Sequence, residues 1–157
     1  MISLIVAFDK NRLIGKNDWM PWNNKEDLKH FRNYTMNKDL LVGRKTFEGF
    51  PKPLPNRYHY VLTRQEMDYD HEQVEVIHSI DELMKKYKDS EKELVVIGGS
   101  QIYKTALPYV DKMVISLMEG DYEGDTYFPE FDENDFDVES KLEKEGFTVY
   151  TLIRKEK

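Results

Sequence analysis

The chain of 157 residues contains no cysteine. Disulfide bonds, thiolate nucleophiles and cysteine-based zinc sites are therefore excluded, and the absence fits a reducing, cytoplasmic location. No apolar run reaches the roughly 18 residues that a membrane span needs. The apolar segment Ile2–Phe8 is short and lacks a basic flank and a small-residue cleavage site, so it is predicted to be a buried strand and not a signal peptide.

Basic residues are in deficit, with 23 Lys and Arg against 30 Asp and Glu and a formal net charge of −7. Bulk electrostatics therefore do not favour nucleic acid or an anionic membrane as partner, although a local basic pocket can still bind an anionic small molecule. The four histidines show no metal-binding spacing. In the acidic segment 119–137, Asp121, Glu123 and Asp125 are spaced like calcium ligands but are not followed by the glycine and the terminal glutamate of an EF-hand loop. No metal is predicted.

The length and the hydrophobic pattern predict one α/β domain over residues 1–157. Short apolar runs alternate with amphipathic helical patterns, and several runs are apolar throughout, as in strands covered on both faces. The predicted strands are Ile2–Phe8, Leu40–Gly43, Tyr58–Thr63, Val74–Ile77, Leu94–Gly98, Met113–Met118 and Phe147–Ile153. The predicted helices are Lys25–Thr35, Arg44–Phe50, Ile80–Lys88 with a Ser79/Glu82 capping box, and Ser100–Leu107. This order predicts a largely parallel sheet with a final antiparallel pair.

Three predicted strands end in residues suited to phosphate, although the chain has no P-loop, no G-x-S-x-G elbow and no G-x-G-x-x-G after the first strand. Gly43 and Gly98-Gly99 each join a strand to a helix, and Thr63-Arg64 ends a third strand with a hydroxyl and a guanidinium. A turn glycine is the simpler interpretation of each alone. Together, at the carboxyl ends of parallel strands, they predict a cofactor-binding edge.

A second cluster consists of Trp19-Met20-Pro21-Trp22 followed by Asp27. Asp27 begins a helix, where the ordinary role of an acid is to complement the helix dipole. It also lies four residues before Phe31, on the apolar side of that helix, where a carboxylate would be desolvated and its pKa raised. Such a group can hold a heterocycle through two parallel N–H bonds. The spacing alone leaves both interpretations open.

A proline-rich segment, Lys52–Arg57, follows the second predicted helix. Its proline-set turns fix Leu54 and Arg57 in space. One interpretation is a surface loop with a solvated arginine. The other is a guanidinium placed for a substrate carboxylate.

Seven motifs resemble the dihydrofolate reductase family, of the bacterial chromosomal type, in order and spacing over nearly the whole chain. They are Ile14-Gly15, Met20-Pro21-Trp22, Asp27-Leu28 with Phe31, Gly43-Arg44-Lys45-Thr46-Phe47-Glu48, Pro53-Leu54-Pro55-Asn56-Arg57, Val96-Ile97-Gly98-Gly99 with Ile102-Tyr103, and Glu123-Gly124-Asp125-Thr126-Tyr127-Phe128-Pro129. The resemblance implies an eight-stranded, mostly parallel sheet with a C-terminal antiparallel strand and about four helices. It implies reduction of 7,8-dihydrofolate to 5,6,7,8-tetrahydrofolate, with hydride from NADPH reaching C6 and a proton reaching N5. It also implies a cytoplasmic monomer that binds antifolates.

Site residues follow from the resemblance by position. Asp27 would pair with the pterin amidine edge and promote N5 protonation through water near Met20 and Trp22, while Tyr103 would lie beside the nicotinamide. Arg57 would bind the α-carboxylate of the glutamate tail, and Ser116 replaces a threonine that bonds the carboxylate. The substrate set is Ile5, Val6, Ala7, Asp27, Leu28, Phe31, Phe50, Leu54, Arg57, Ile97 and Ser116. The NADPH set is Ala7, Ile14, Gly15, Trp19, Met20, Gly43, Arg44, Lys45, Thr46, Leu62, Thr63, Arg64, His78, Ile97, Gly98, Gly99, Ser100, Gln101, Ile102, Tyr103 and Thr126.

The chain also departs from the family pattern. Asn24-Lys25 replaces a common Leu-Pro, which predicts a looser start to the helix, and Phe50-Pro51 replaces Ile-Gly, which narrows the benzoyl channel. Ser100 replaces a frequent glycine. His78 stands where a Lys or Arg often meets the 2′-phosphate and carries little charge above about pH 6.5. The hairpin before Phe147 is predicted to be short.

Two features of the family pattern concern the backbone. The Gly98–Gly99 peptide is commonly cis. Residues 11–22 would form a mobile loop that closes on the reactants, with Gly124-Asp125 in a second loop that supports it.

The sequence disfavours two other functional classes. A binding protein that kept the fold but lost activity is disfavoured by the intact Asp27, Trp22 and Arg57. An enzyme acting on a pyrimidine or another pterin, as in riboflavin synthesis, is disfavoured by Arg57 with Leu54 and Phe31, because a pyrimidine phosphate has no benzoyl-glutamate tail.

Overall fold

The computed structural model describes residues 1–15, 21–22 and 24–155. Strands and helices alternate through most of this range, as predicted. The strands are β1 Ile2–Phe8, β2 Leu13–Gly15, β3 Asp39–Gly43, β4 Tyr58–Leu62, β5 Val74–Ile77, β6 Leu94–Val96, β7 Lys112–Met118, β8 Thr126–Tyr127, β9 Phe136–Lys144 and β10 Phe147–Arg154. The helices are α1 Lys25–Thr35, α2 Arg44–Glu48, α3 Asp81–Lys88 and α4 Ser100–Ala106, with short 3-10 helices at Leu107–Tyr109 and Glu133–Asp135.

Eight strands form one sheet in the order β5-β4-β3-β6-β1-β7-β10-β9, and β2 pairs with β8 in a separate ribbon. The pairs from β5 across to β7 are all parallel, whereas β10 runs antiparallel to both β7 and β9. The predicted eight-stranded, mostly parallel sheet with an antiparallel C-terminal strand is therefore confirmed. Its parallel strands end together, which brings their carboxyl ends to a common edge.

Each face of the sheet is covered by a separate apolar cluster. Along β1, Leu4 and Val6 belong to the cluster that includes residues of α3 and α4, whereas Ile5 belongs to the cluster that includes Phe47 of α2. Burial on both faces explains why the central strands are apolar throughout. No helix in the described part of the chain is long and apolar enough to cross a membrane.

The predicted looser start to α1 is wrong. Asn24 is the N-cap residue in an extended conformation, and its Oδ1 accepts a hydrogen bond of 3.1 Å from the backbone N–H of Asp27. An asparagine cap satisfies one of the amides that a helix start otherwise leaves unbonded. The helix ends where Thr35 turns its hydroxyl back to the Phe31 carbonyl, 2.8 Å away.

A second correction concerns α3. The predicted Ser79/Glu82 capping box is absent, because the helix begins at Asp81 with Ile80 as an N-cap that makes no side-chain bond. Ser79 Oγ instead accepts a long bond of 3.4 Å from the Asp81 N–H. The short hairpin is confirmed: Phe147 pairs with Lys144, which leaves a turn of Glu145 and Gly146 alone.

Candidate active site

Asp27 lies in the first turn of α1 and faces the sheet, with only 7% of its surface exposed. Ser116 of β7, paired with Ala7 on the central strand, donates a hydrogen bond to its carboxylate. Burial raises the pKa of Asp27, and the Ser116 bond and the nearby His30 offset part of that rise. Among the described residues no lysine or arginine is paired with Asp27, and a buried acid with a raised pKa is suited to chemistry rather than to stability.

Tyr103 of α4 is buried beside the same site. Its hydroxyl donates to the Ile5 carbonyl at 2.8 Å, and its ring packs against that of Phe128 with centroids 5.1 Å apart. Burial is the main cause that raises the pKa of Tyr103, and the charge of Asp27 adds to it. The hydroxyl proton of Tyr103 is therefore donated to the Ile5 carbonyl, and Tyr103 contributes to the site through the packing of its ring.

The two glycine-bearing strand ends form one surface. The Gly43 N–H donates to the Gly98 carbonyl at 2.8 Å, and the Gly98–Gly99 peptide is cis, as the resemblance implies. A Cβ on Gly43 would lie 2.9 Å from the Ile102 side chain, and one on Gly99 would lie 3.3 Å from Thr46 Oγ1. Glycine at both positions therefore allows close packing where β3 leads into α2 and where the chain enters α4.

The predicted polar residues of the cofactor edge differ in their burial and in their bonding partners. Thr63 is buried at the end of β4, where its carbonyl bonds His78 Nδ1 at 2.7 Å, and Arg64 beside it is exposed. Because a carbonyl only accepts, Nδ1 carries the proton. Arg44, in contrast, is an ion-paired residue, with Nη1 2.6 Å from Glu48 Oε1. Ser100 is partly buried, whereas Lys45 and Gln101 are exposed at the starts of α2 and α4.

The predicted substrate residues mostly share one apolar cluster. Its buried members include Ile5, Trp22 and Ile97, and packed against them are Ala7, Phe31, Phe50 and Leu54. Two predicted residues lie elsewhere. The Val6 side chain packs in the opposite cluster with Ile102, Tyr103, Ile14 and Leu62, so only its backbone can reach the substrate side. Leu28 is 49% exposed and lines a cavity of about 280 Å³ with Lys25, Lys29 and Arg32.

Arg57 is buried, not solvated, with 4% of its surface exposed. Nε donates to Thr35 Oγ1 at 2.9 Å, Nη1 to the Pro55 carbonyl at 2.8 Å, and Nη2 to the Arg32 carbonyl at 3.0 Å. Burial, helped by the charge of Arg32, lowers the pKa of Arg57. A guanidinium has five N–H groups. Three neutral acceptors thus fix Arg57 and leave its charge without a carboxylate among the described residues.

The β2–β8 ribbon places Gly15 beside the loop that contains Asp125. Gly15 pairs with Thr126, and its carbonyl accepts a 3.1 Å bond from the Asp125 N–H. The Trp22 ring meets the edge of Tyr122, with centroids 5.2 Å apart. Trp19 and Met20 lie outside the described residues, as do residues 16–18 of the predicted closing loop.

Sequence reasoning missed His30 as a site residue. It lies on α1 one turn beyond Asp27, and its Nε2 is buried without a hydrogen-bond partner in the part of the chain that the structure describes. Burial lowers the pKa of His30, Asp27 raises it, and Lys144 of β9 lowers it further. The i, i+3 spacing from Asp27 is a sequence signal that could have found it.

A buried acid and two closely packed, glycine-bearing strand ends at the carboxyl edge of an α/β sheet are typical of enzymes that use a nucleotide cofactor on a small heterocycle. The family model for dihydrofolate reductase matches residues 1–152. The dihydrofolate reductase of Bacillus subtilis is 39% identical over 140 residues, which cover 89% of this chain and 82% of that protein. That of Staphylococcus haemolyticus is 37% identical over 162 residues, covering 98% and 96%.

A solved structure gives the same result. Dihydrofolate reductase from Enterococcus faecalis, complexed with NADP(H) and RAB-propyl, superposes with a TM-score of 0.87 at 34% identity, covering 99% of this chain and 97% of that one. The chain belongs to the dihydrofolate reductase family. It is an oxidoreductase that reduces 7,8-dihydrofolate to tetrahydrofolate with NADPH, as the sequence predicts.

Proposed function

We propose that Asp27 is the catalytic carboxylate of this reaction and that it binds the amidine edge of the pterin. The observation that carries the proposal is its burial beside Ser116. Two carboxylate oxygens match two parallel N–H groups, and in a desolvated site such a charge-assisted pair is strong. Negative charge at this edge draws positive charge onto the pterin and makes N5 more basic, so Asp27 promotes protonation at N5 without donating the proton itself.

We propose that the proton at N5 comes from water near Trp22; the resemblance assigns Met20, which lies outside the described residues, to the same role. Tyr103 is not the donor, because its hydroxyl is bonded to the Ile5 carbonyl. Trp22, buried against Tyr122, limits the entry of further water, and Ile5, Phe31 and Ile97 place the apolar faces of the pterin and benzoyl rings. NADPH, when bound, supplies the hydride that reaches C6.

The residues of the carboxyl edge fit NADPH. Glycine at positions 43 and 99 lets the end of β3 and the start of α4 pack closely, because a Cβ there would meet Ile102 or Thr46. Gly98, Ser100, Gln101 and Ile102 continue that surface into α4. Thr46 and Lys45 of α2, with Leu62, Thr63 and Arg64 after β4, would hold the phosphates and adenosine. Ala7, Ile14, Gly15 and Thr126 would meet the nicotinamide end.

The 2′-phosphate of NADPH would meet a mixed set of groups. Arg64 is exposed, whereas Arg44 would have to exchange Glu48 for phosphate. His78 holds its Nδ1 proton against the Thr63 carbonyl and would offer only Nε2. Arg64 is therefore proposed as the main cation for this phosphate, with His78 secondary.

Arg57 is proposed to bind the α-carboxylate of the glutamate tail, beside Leu54 and Phe50. Its three fixed bonds leave one N–H on each terminal nitrogen, which suits a carboxylate.

We also propose that residues 1–157 act as a single cytoplasmic domain, that the enzyme is a monomer, and that antifolates compete for the pterin site. The absence of cysteine fits the cytoplasmic location, and the continuity of the eight-stranded sheet fits a single domain.

Asp27→Asn tests the proposed role. The amide cannot hold the amidine edge as an anion, so we expect kcat/KM for dihydrofolate at neutral pH to fall by at least about 100-fold, with the Kd for NADPH unchanged. Steady-state oxidation of NADPH and a binding titration give the two values. Asp89→Asn, at an exposed acid beyond α3, is the matched control. Full turnover by Asp27→Asn would refute the role.

A further inference from the structure

Two departures from the family pattern meet in space at the start of α1. The first is Asn24, where many relatives have leucine, and the second is the two-residue turn Glu145–Gly146 between β9 and β10. The Asn24 side chain donates from Nδ2 to the Glu145 carbonyl at 3.2 Å. The same side chain accepts the Asp27 N–H through Oδ1 at 3.1 Å. One amide group therefore joins the hairpin turn to the residue that carries the carboxylate.

The contact between Asn24 and the turn depends on glycine. Gly146 has a φ of +85°, and a Cβ there would lie 3.0 Å from Asn24 Nδ2. A positive φ favours glycine because other side chains are strained in that conformation. A longer or bulkier turn would displace the amide, so the short hairpin and Asn24 fit each other.

The turn is also bonded to the strand that supports the carboxylate. The Gly146 carbonyl accepts a 3.0 Å bond from the Glu119 N–H, just beyond β7. That strand carries Ser116, which donates to the Asp27 carboxylate. Asp27 is thus held twice, by its backbone through Asn24 and by its side chain through Ser116. Both supports meet at the Glu145–Gly146 turn.

We propose that Asn24 is a positioning residue for Asp27 and that it couples the β9–β10 turn to the geometry of the carboxylate. The proposal rests on the role of Asp27 proposed above. A cap alone would fix the backbone of α1. The bond to Glu145 does more, because it fixes the first turn of α1 relative to β7 and so keeps Ser116 in register with the carboxylate.

Asn24→Ser separates the two functions of the side chain. Serine keeps an oxygen that can cap the helix but is too short, and has no second polar atom, to hold both partners. We expect thermal unfolding close to wild type and a fall in kcat/KM for dihydrofolate of about threefold to tenfold. Kinetic constants for NADPH should not change. Asn24→Ala, which removes both bonds, should lower the unfolding temperature as well.

The pH profile supplies a readout that a purely structural cap would not move. In the wild type, the Ser116 bond lowers the pKa of Asp27. Loss of register in Asn24→Ser weakens that bond and raises this pKa, so the midpoint of the kcat/KM profile should move to higher pH. His30, Tyr103 and, through His30, Lys144 also act on this site. None of them is altered by the substitution.

Gly146→Ala tests the same link from the other side. It should reproduce the shift in pH midpoint, and the double variant with Asn24→Ser should add little to either single change, because both break one link. Asp132→Ala, which removes the cap of the remote 3-10 helix at Glu133–Asp135, is the control for loss of a cap as such. Its profile should match wild type.

The outcomes distinguish this inference from the proposed role of Asp27. A wild-type pH midpoint and kcat/KM in Asn24→Ser, with Asp27→Asn inactive, would overturn the link and leave the role of Asp27 intact. Full activity in Asp27→Asn would overturn the role itself. Amide hydrogen exchange at Asp27 and Leu28 gives a measurement independent of turnover: protection should fall in Asn24→Ala and be retained in Asn24→Ser.

Discussion

Burial of Asp27 has a cost to stability that its hydrogen bonds offset only in part. The pKa of Asp27 is raised in the folded protein, so the folded state binds a proton there more tightly than the unfolded state does. Its contribution to stability is therefore fully present below the unfolded pKa and is lost as the pH rises through the folded pKa. Asp27→Asn stays neutral and avoids that loss.

We therefore expect Asp27→Asn to unfold at a higher temperature than wild type near pH 7 and at the same temperature near pH 3, which is below the pKa of about 3.9 for an aspartate in the unfolded chain. Thermal unfolding followed by circular dichroism at both pH values measures the difference. Equal unfolding temperatures near pH 7 would contradict the raised pKa. Loss of activity with gain of stability is the usual relation for a residue kept for function.

His30 offers a second prediction at the scale of a single residue. Burial lowers the pKa of His30, the charge of Asp27 raises it, and the charge of Lys144 lowers it. Removing the carboxylate in Asp27→Asn should lower the pKa of His30 further, and Lys144→Gln should raise it. Ring-proton NMR titrations measure both, with the exposed His71 in the same spectra as reference. Unchanged titration of His30 in both variants would show that the three groups do not interact.

At the scale of elements, the β2–β8 ribbon is the most tightly constrained pairing near the site. A Cβ on Gly124 would lie 2.4 Å from the Gly15 carbonyl and 2.9 Å from the Leu13 side chain. Gly124→Ala must therefore separate the two strands, and overpacking of this kind costs about 1–3 kcal/mol. Because Gly15 and Thr126 of this ribbon are proposed to meet the nicotinamide end of NADPH, we expect a raised KM for NADPH and slower hydride transfer, measured by stopped-flow. A variant that loses stability but keeps both constants would show that the ribbon does not support the site.

The elements differ in how far the sequence predicts them. β1, β5 and α1 begin and end at the predicted residues, because their apolar periodicity and flanking residues are strong. β9 has no such pattern, since it is an edge strand whose residues after Phe136 are mostly exposed. The predicted capping box was wrong for a different reason: Ser79 and Glu82 have the right spacing, but the helix begins one residue later, at Asp81.

At the scale of the whole molecule, a chain of net charge −7 binds an anionic cofactor through a few local cations. Arg64→Ala should lower kcat/KM for NADPH by about tenfold or more, since hydrogen bonds to charged groups contribute about 1.5–3 kcal/mol. NADH lacks the 2′-phosphate and should be affected far less. Steady-state kinetics with both cofactors decide this, with His78→Ala as the smaller comparison. An equal loss with NADH would contradict the assignment.

The fold and the family could be predicted from motifs spread along the chain, because each motif keeps its residue types and spacing. The contacts that distinguish this chain could not. Asn24 and Gly146 are more than a hundred positions apart, and nothing in either segment indicates that they touch. The ion pair of Arg44 with Glu48 and the three bonds of Arg57 likewise depend on side-chain directions that spacing does not specify.

The central claim is that Asp27 promotes protonation of the bound pterin, and the pH dependence of hydride transfer tests it most directly. Single-turnover rates with dihydrofolate and saturating NADPH would be compared for wild type and Asp27→Asn from about pH 5 to pH 9. The wild-type rate should level off at low pH, where the protonated complex is fully formed. The rate of Asp27→Asn should keep rising about tenfold for each unit of falling pH, because the proton must come from solution without help from the carboxylate. Superimposable profiles for the two proteins would contradict the role assigned to Asp27.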